Sequence, residues 1–234
     1  MLKRLSHFSL IAVAALIFFV GEARAEMPQT DADLVKQMDG QASDKVLEAL
    51  GHYYDLHVSE LTVQNMNEQR TGAMFAVQRA KANGATAAKL AQLEQKSKDV
   101  SAKRNAEIER NQALRLKLEQ ISGIEFAETL VMAPDTPMDK PTAPANAPAD
   151  LVTAQSESWT ALQTALAAWR EERLILLDAQ QRYDETRDVP IGDHLRAMTR
   201  AEIALAKAVG DCRIVEAKIA AATGKSVSEM LAAL

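Results

Sequence analysis

Apolar residues recur every seven positions over two long stretches of this sequence, and that spacing narrows the choice of fold more than any other feature. Between Thr86 and Ser122, Leu93, Val100, Glu107, Leu114 and Ile121 form one row, with Leu90, Ser97, Arg104, Asn111 and Leu118 interleaved. Toward the C-terminus, Met198, Leu205, Cys212 and Ile219 form a second row beside Ala201, Ala208, Val215 and Ala222. Seven residues make almost two helical turns, so a sustained heptad keeps one seam against a partner helix and predicts a coiled coil. The first seam has a polar middle at Arg104, Glu107 and Asn111. The small residues of the last helix let its partner approach closely. Hydrophobic residues make up 47% of the chain but aromatics only 4%, so the apolar content is mostly Ala, Leu, Val and Ile, which suits helices.

The helix breakers divide these stretches into matched arms. No proline falls between Ser43 and Asn83, and a helix of about 40 residues, roughly 60 Å long, is expected there. Ser43 or Asp44 is its expected N-cap, and Val46, Leu50, Tyr53, His57, Leu61 and Gln64 form its stripe. Asn83-Gly84-Ala85-Thr86 then closes it, glycine taking the left-handed conformation and Thr86 capping the next helix, which ends at Gly123. Residues 125–149 carry Pro134, Pro137, Pro141, Pro144 and Pro148 and read as an extended polyproline linker. Beyond it, Asp150 is expected to cap a helix with the seam Trp159, Leu162, Leu166, Trp169, Leu176 and Tyr183. The Asp188-Val189-Pro190-Ile191-Gly192 break turns the chain into the last helix, which runs to Thr223-Gly224.

The expectation is therefore an all-α chain of two tandem, long, antiparallel coiled-coil hairpins joined by a Pro-rich linker. Hairpin 1 covers 43–124 with its tip near 83–86, and hairpin 2 covers 150–234 with its tip near 187–193. They would form a four-helix bundle or one subunit of a helical barrel.

Residues 1–25 read as a secretory signal peptide: Lys3 and Arg4, an apolar run from Phe8 to Val20, then Ala23-Arg24-Ala25. The run is shorter than the roughly 20 residues that span a bilayer, so no membrane span is expected after cleavage behind Ala25. An N-terminal segment, 26–42, precedes hairpin 1. Cleavage would shift the formal charge from -5 to -7, because residues 1–25 carry three basic side chains and one acidic. An acidic chain of mixed signs is not built to bind nucleic acid. With Cys212 as the sole cysteine, no intramolecular disulfide can form, and its place in an apolar row marks it as a small hydrophobe.

The sequence offers little that could carry chemistry. His52 and His57 lie five residues apart, too far round a helix to converge on one ion as an i,i+4 pair would. His194 reads as a solvated turn residue. The methionines are scattered, and there is no Gly-rich phosphate loop, GxSxG, CxxCH or HExxH. No enzyme, cofactor or metal is expected.

Two segments, LLDAQQRYDETRDVPIGDHLRAMTRAEIALAKAVGDCRIVEAKIAAATGK and MFAVQRAKANGATAAKLAQLEQKSKDVSAKRNAEIERNQALRLKLEQISG, each surround a hairpin tip with alanines, a turn, a leucine-containing re-entry and a closing glycine. This tandem arrangement resembles the TolC-like outer-membrane efflux proteins over roughly three quarters of the chain that follows the signal. The proline-rich linker stands where that family carries its barrel strands, and GIEFAETLVM offers at most one poor strand. The resemblance implies a periplasmic, outer-membrane-associated transport component and a homo-oligomer, a trimer in that family. Its tips would dock a periplasmic adaptor protein or a barrel-bearing homologue. Carried over to this chain, the docking residues are Asn83, Gly84, Ala85, Val189, Pro190, Ile191 and Gly192. The alternative is a periplasmic helical chaperone or ligand-binding bundle with no transport role.

Overall fold

The computed structural model describes residues 30–126, 140–186 and 191–227, with the backbone alone for 184–186. The signal peptide, residues 127–139 of the linker, and Val189 and Pro190 lie outside the described residues. The described residues form five helices: α1 (Asp31–Gln37), α2 (Ser43–Ala82), α3 (Ala87–Ser122), α4 (Ala149–Thr186) and α5 (Ile191–Thr223). The all-α reading with two long antiparallel hairpins holds: α2 packs on α3 and α4 on α5.

The helix ends follow from local chemistry. Gly84 takes φ +65°, the Ala85 amide donates to the Ala80 carbonyl at 2.9 Å and the Gly84 amide to Lys81 at 3.2 Å. This pairing closes α2 with a Schellman turn that glycine alone adopts without strain. Thr86 caps α3 through its hydroxyl, which accepts from the Lys89 amide at 3.3 Å. Across the tip, the Lys81 ammonium meets Glu94 at 2.9 Å.

Three expectations are corrected at this level. The N-cap of α2 is Ala42, with no side-chain cap bond; Ser43 is the first helical residue, and the Asp44 carboxylate instead accepts from the Lys45 amide. Asp150 does not cap α4, which begins at Ala149; it lies in the first turn, where its charge still favours the helix N-terminus. The last described stretch of linker is not extended throughout, because the Ala147 amide bonds the Pro144 carbonyl at 2.9 Å in a turn.

α1 is a helix that the heptad pattern does not announce. Thr30 accepts from the Asp33 amide while Asp33 accepts from the Thr30 amide, a reciprocal capping box. Its Leu34, Val35 and, just beyond its end, Met38 are fully or almost fully buried against α2.

The two hairpins meet through α2 and α5, while α3 and α4 stay on the outside and do not pack closely together. The lateral order is thus α3, α2, α5, α4, an open array rather than a closed square bundle. Tyr54 of α2 lies against Gly210 of α5, Glu68 is bonded by Thr199, and Gly72 faces Arg196. As numbers rise on α2 they fall on α5, so the two helices are antiparallel and both tips point the same way. The main core gathers at the opposite end, around Leu50, Tyr53, Tyr54, Leu56, Leu118, Val209 and Ala217.

Gly210 decides how closely α2 and α5 approach, since a Cβ there would stand 2.7 Å from Tyr54 Cγ. G210A is expected to destabilise the protein by about 1–3 kcal/mol through overpacking. Gly51 is helical, and a methyl group added there would have nothing within 4 Å, so G51A is expected to stabilise by about 0.5–1 kcal/mol. Urea unfolding of both variants checks the pair, and equal effects would contradict the crossing.

Candidate functional site

The tips are the residues that the family resemblance singled out, and the structure describes five of the seven. Asn83 ends α2, Gly84 makes the left-handed turn, and Ala85 leads into α3. Asn83 and Gly84 are exposed and Ala85 half-buried. Ile191 and Gly192 do not form a turn, which corrects the reading of the second break: they open α5 as its first two residues. Gly192 has no positive φ, and a side chain at that point would meet the Arg196 guanidinium at 3.5 Å.

The distribution of apolar surface adds what the tip motif could not supply. Met74, Phe75, Leu174, Ile175, Leu177 and Leu195 are all exposed, Leu174 by 68% and Phe75 by 54%. All six lie in the half of the molecule nearer the tips; Leu116 is the one other large exposed hydrophobic among the described residues. The heptad pattern passes over them because they fall outside the seams. Their signal in the sequence is the run Leu174-Ile175-Leu176-Leu177, in which four successive large apolar residues cannot all face one partner.

Below this surface the two hairpins share a polar layer. Arg196 pairs with Asp193 one turn back. Burial raises the Glu68 carboxyl above its ordinary range, against the Thr199 hydrogen bond and the Arg196 charge. Glu202, hydrogen-bonded to Trp169, is also raised by burial. The Arg173 guanidinium stands 5.3 Å over the Trp169 ring. In hairpin 1 α2 supplies partners to part of the polar α3 seam: Ser59 donates to Glu107 at 2.8 Å and Arg104 donates to Asn67, whereas the Asn111 side-chain amide nitrogen is buried without a hydrogen-bond partner.

A second polar cluster is buried at the base. Asp31 is fully buried, accepts from the Tyr54 hydroxyl at 2.5 Å and faces the Arg213 guanidinium at 3.4 Å. Glu216 accepts from Gln155 at 2.8 Å, tying α4 to α5. Desolvation raises the Tyr54 phenol and the Glu216 carboxyl. Tyr54 therefore keeps its proton at neutral pH and donates it to Asp31. These contacts join α1 and α2 to α5, and α5 to α4, while the second carboxylate oxygen of Glu216, Oε2, is buried without a hydrogen-bond partner.

The remaining candidates for chemistry are dispersed. His52 lies 3.8 Å from Glu48, whereas His57 is buried on the α2 stripe and burial lowers its pKa to about 4. Cys212 is buried in the core beside Ser158, and desolvation raises its thiol, which disfavours the nucleophilic thiolate. Among the described residues, no three or more His, Cys, Asp and Glu side chains are placed to hold a metal ion. No helix among them is long and apolar enough to cross a membrane. One open, largely apolar groove runs between α4 and α5, bordered by Thr160, Ala161, Thr164, Ala168 and Ala204.

His57 gives the fold an acid-sensitive component. It binds its proton near pH 4 when folded and near 6.5 when unfolded, so its contribution is complete above pH 6.5 and is lost as pH falls toward 4. The raised carboxyls Glu68, Glu202 and Glu216 act oppositely, since they favour the folded state below the range where they ionise. Comparison with H57F isolates the histidine: the wild type is expected to lose about 2 kcal/mol more than the variant between pH 7 and pH 5. Urea midpoints at the two pH values check this, and parallel losses would refute it. Comparison of the chain with protein-family models, curated proteins and solved structures finds no match in any of the three.

Proposed function

We propose that this is a non-enzymatic cell-envelope protein that works by docking its helix tips and the adjoining helix faces onto partner proteins. The observation that carries the reading is the concentration of exposed Met74, Phe75, Leu174, Ile175, Leu177 and Leu195 in the tip half, while the main core lies at the base. Burying one such side chain yields about 1.5–3 kcal/mol, so a few of them suffice for a specific complex. The signal-like N-terminus supports a periplasmic location. The tandem-hairpin resemblance supports kinship with the periplasmic helical part of TolC-like components, with a periplasmic adaptor or a barrel-bearing homologue as partner.

A second reading, a helical chaperone or ligand-binding bundle, draws on the open groove between α4 and α5. The two readings differ in which surface is used. A photo-crosslinker at Asn83 or Ile191 is expected to capture a helical-hairpin adaptor in envelope membranes. F75D combined with L174D should lower that yield at least about fivefold without altering helix content. Capture that survives these substitutions but is lost on filling the groove with A161W would favour the bundle reading instead.

A further inference from the structure

The contact between the hairpins changes character along its length. At the base it is close and apolar, with Tyr54 lying on Gly210. Toward the tips it passes through the buried Thr199 of α5 and two half-buried carboxyls, Glu68 on α2 and Glu202 on α5. Thr199 and Glu202 are three residues apart and so share one face of their helix.

The Thr199 hydroxyl has one proton and two oxygens to give it to. Its oxygen lies 3.0 Å from the Leu195 carbonyl and 3.4 Å from Glu68 Oε2. With Glu68 ionised, one of these acceptors is left without that proton. With Glu68 protonated both contacts are made, because the acid donates to the Thr199 oxygen while Thr199 donates to Leu195. The surrounding charges favour the same state. Glu202 takes the Trp169 indole N–H, and the Glu68 charge opposes its ionisation. Arg196, the α5 cation nearest in effect to Glu68, is paired with Asp193. From α3, Arg104 is engaged with Asn67 and Asn105, and from α4 the Arg173 guanidinium stands over the Trp169 ring. Burial raises both carboxyls above the ordinary range. Two acids that oppose each other in this way titrate as one unit.

We propose that Glu68 and Glu202 form an acid-closed latch between the two hairpins, the pair holding one proton while the tip halves lie together and giving it up when they part. Protonated, the pair carries a single charge and makes the extra bond to Thr199. Once pH has risen past the range where the second carboxyl ionises, two like charges stand between α2 and α5 and drive the tip halves apart. The base stays joined through Tyr54 on Gly210 and Asp31 against Arg213. This inference rests on the contact between the hairpins and does not depend on what the tips bind.

Pulsed electron-spin distance measurements on the chain in a C212A background test it. Spin labels at Gln78 and Gln180 report the tip half, and labels at Lys45 and Thr153 report the base; all four positions are exposed. Raising the pH from about 5 to about 9 should lengthen the tip distance by about 5 Å or more and leave the base distance unchanged. This window stays above the pH of about 4 at which His57 takes up its proton. In E68Q the amide remains neutral and still donates to Thr199, so the short tip distance should persist at both pH values. E202Q should move the midpoint of the lengthening to lower pH, because Glu68 then ionises without an opposing charge. A tip distance indifferent to pH overturns the proposal, as does a lengthening that survives E68Q, one that H194Q abolishes instead, or a midpoint that E202Q leaves in place. Equal lengthening at tip and base also overturns it, since the whole contact would then have been lost.

Discussion

The close crossing of α2 and α5 is the contact on which the rest of the architecture depends. Each hairpin is held by its own seam, and among the described residues this is the main contact that joins them. It works because position 210 has no side chain, so Tyr54 can lie directly on the α5 backbone. The same tyrosine turns edge-on to Tyr53, with centroids 5.1 Å apart, and gives its hydroxyl to Asp31. Asp31 in turn faces Arg213, one turn beyond Gly210, so a steric fit and a buried charge pair act at the same place. A buried pair adds little net stability over an apolar substitute, but a wrong partnering would strand a charge at a cost of about 3–5 kcal/mol. The cluster therefore selects one register of α1, α2 and α5 against alternatives that alanine-rich helices would otherwise accept.

From that anchored base the molecule becomes progressively less apolar inside and more apolar outside. Leu50, Tyr53, Leu118, Val209 and Ile219 are buried near the base, whereas Phe75 and Leu174 nearer the tips are more than half exposed. Polar contacts replace apolar ones along the way, as with Ser59 to Glu107 and Arg104 to Asn67. A rod stabilised mainly at one end leaves its other end free to present side chains to another surface without weakening the fold.

Much of this was legible in the sequence because helix breakers and heptads are local signals. Gly84, Thr86, Gly123 and Gly224 stop or start helices where expected, since a left-handed glycine or a threonine cap needs only its neighbours. The seam rows of α3 and α5 are buried or half-buried almost throughout, Ala222 being exposed. Elsewhere a distant contact overruled a local preference. Ser43 is a good capping residue, yet α2 starts one residue earlier, behind Ala42. The α2 stripe drawn through Tyr53 and His57 leaves out Tyr54, because α2 has two neighbours and buries two faces. Gly192, expected in the turn, lies in the first turn of α5. The helix breakers placed the tips and the resemblance gave them a docking role, while the apolar side chains around them became visible only once the seams had been assigned to partners.

The sequence by itself determined that this chain is helical, where each long helix breaks, and which row of each helix is covered, because those properties depend on residues within a turn or two. Tertiary structure alone decided that the hairpins join through α2 and α5 and leave α3 and α4 at the edges. That choice rests on Gly210 beneath Tyr54 and Asp31 against Arg213, residues separated by 156 and 182 positions, whose meeting no local pattern encodes.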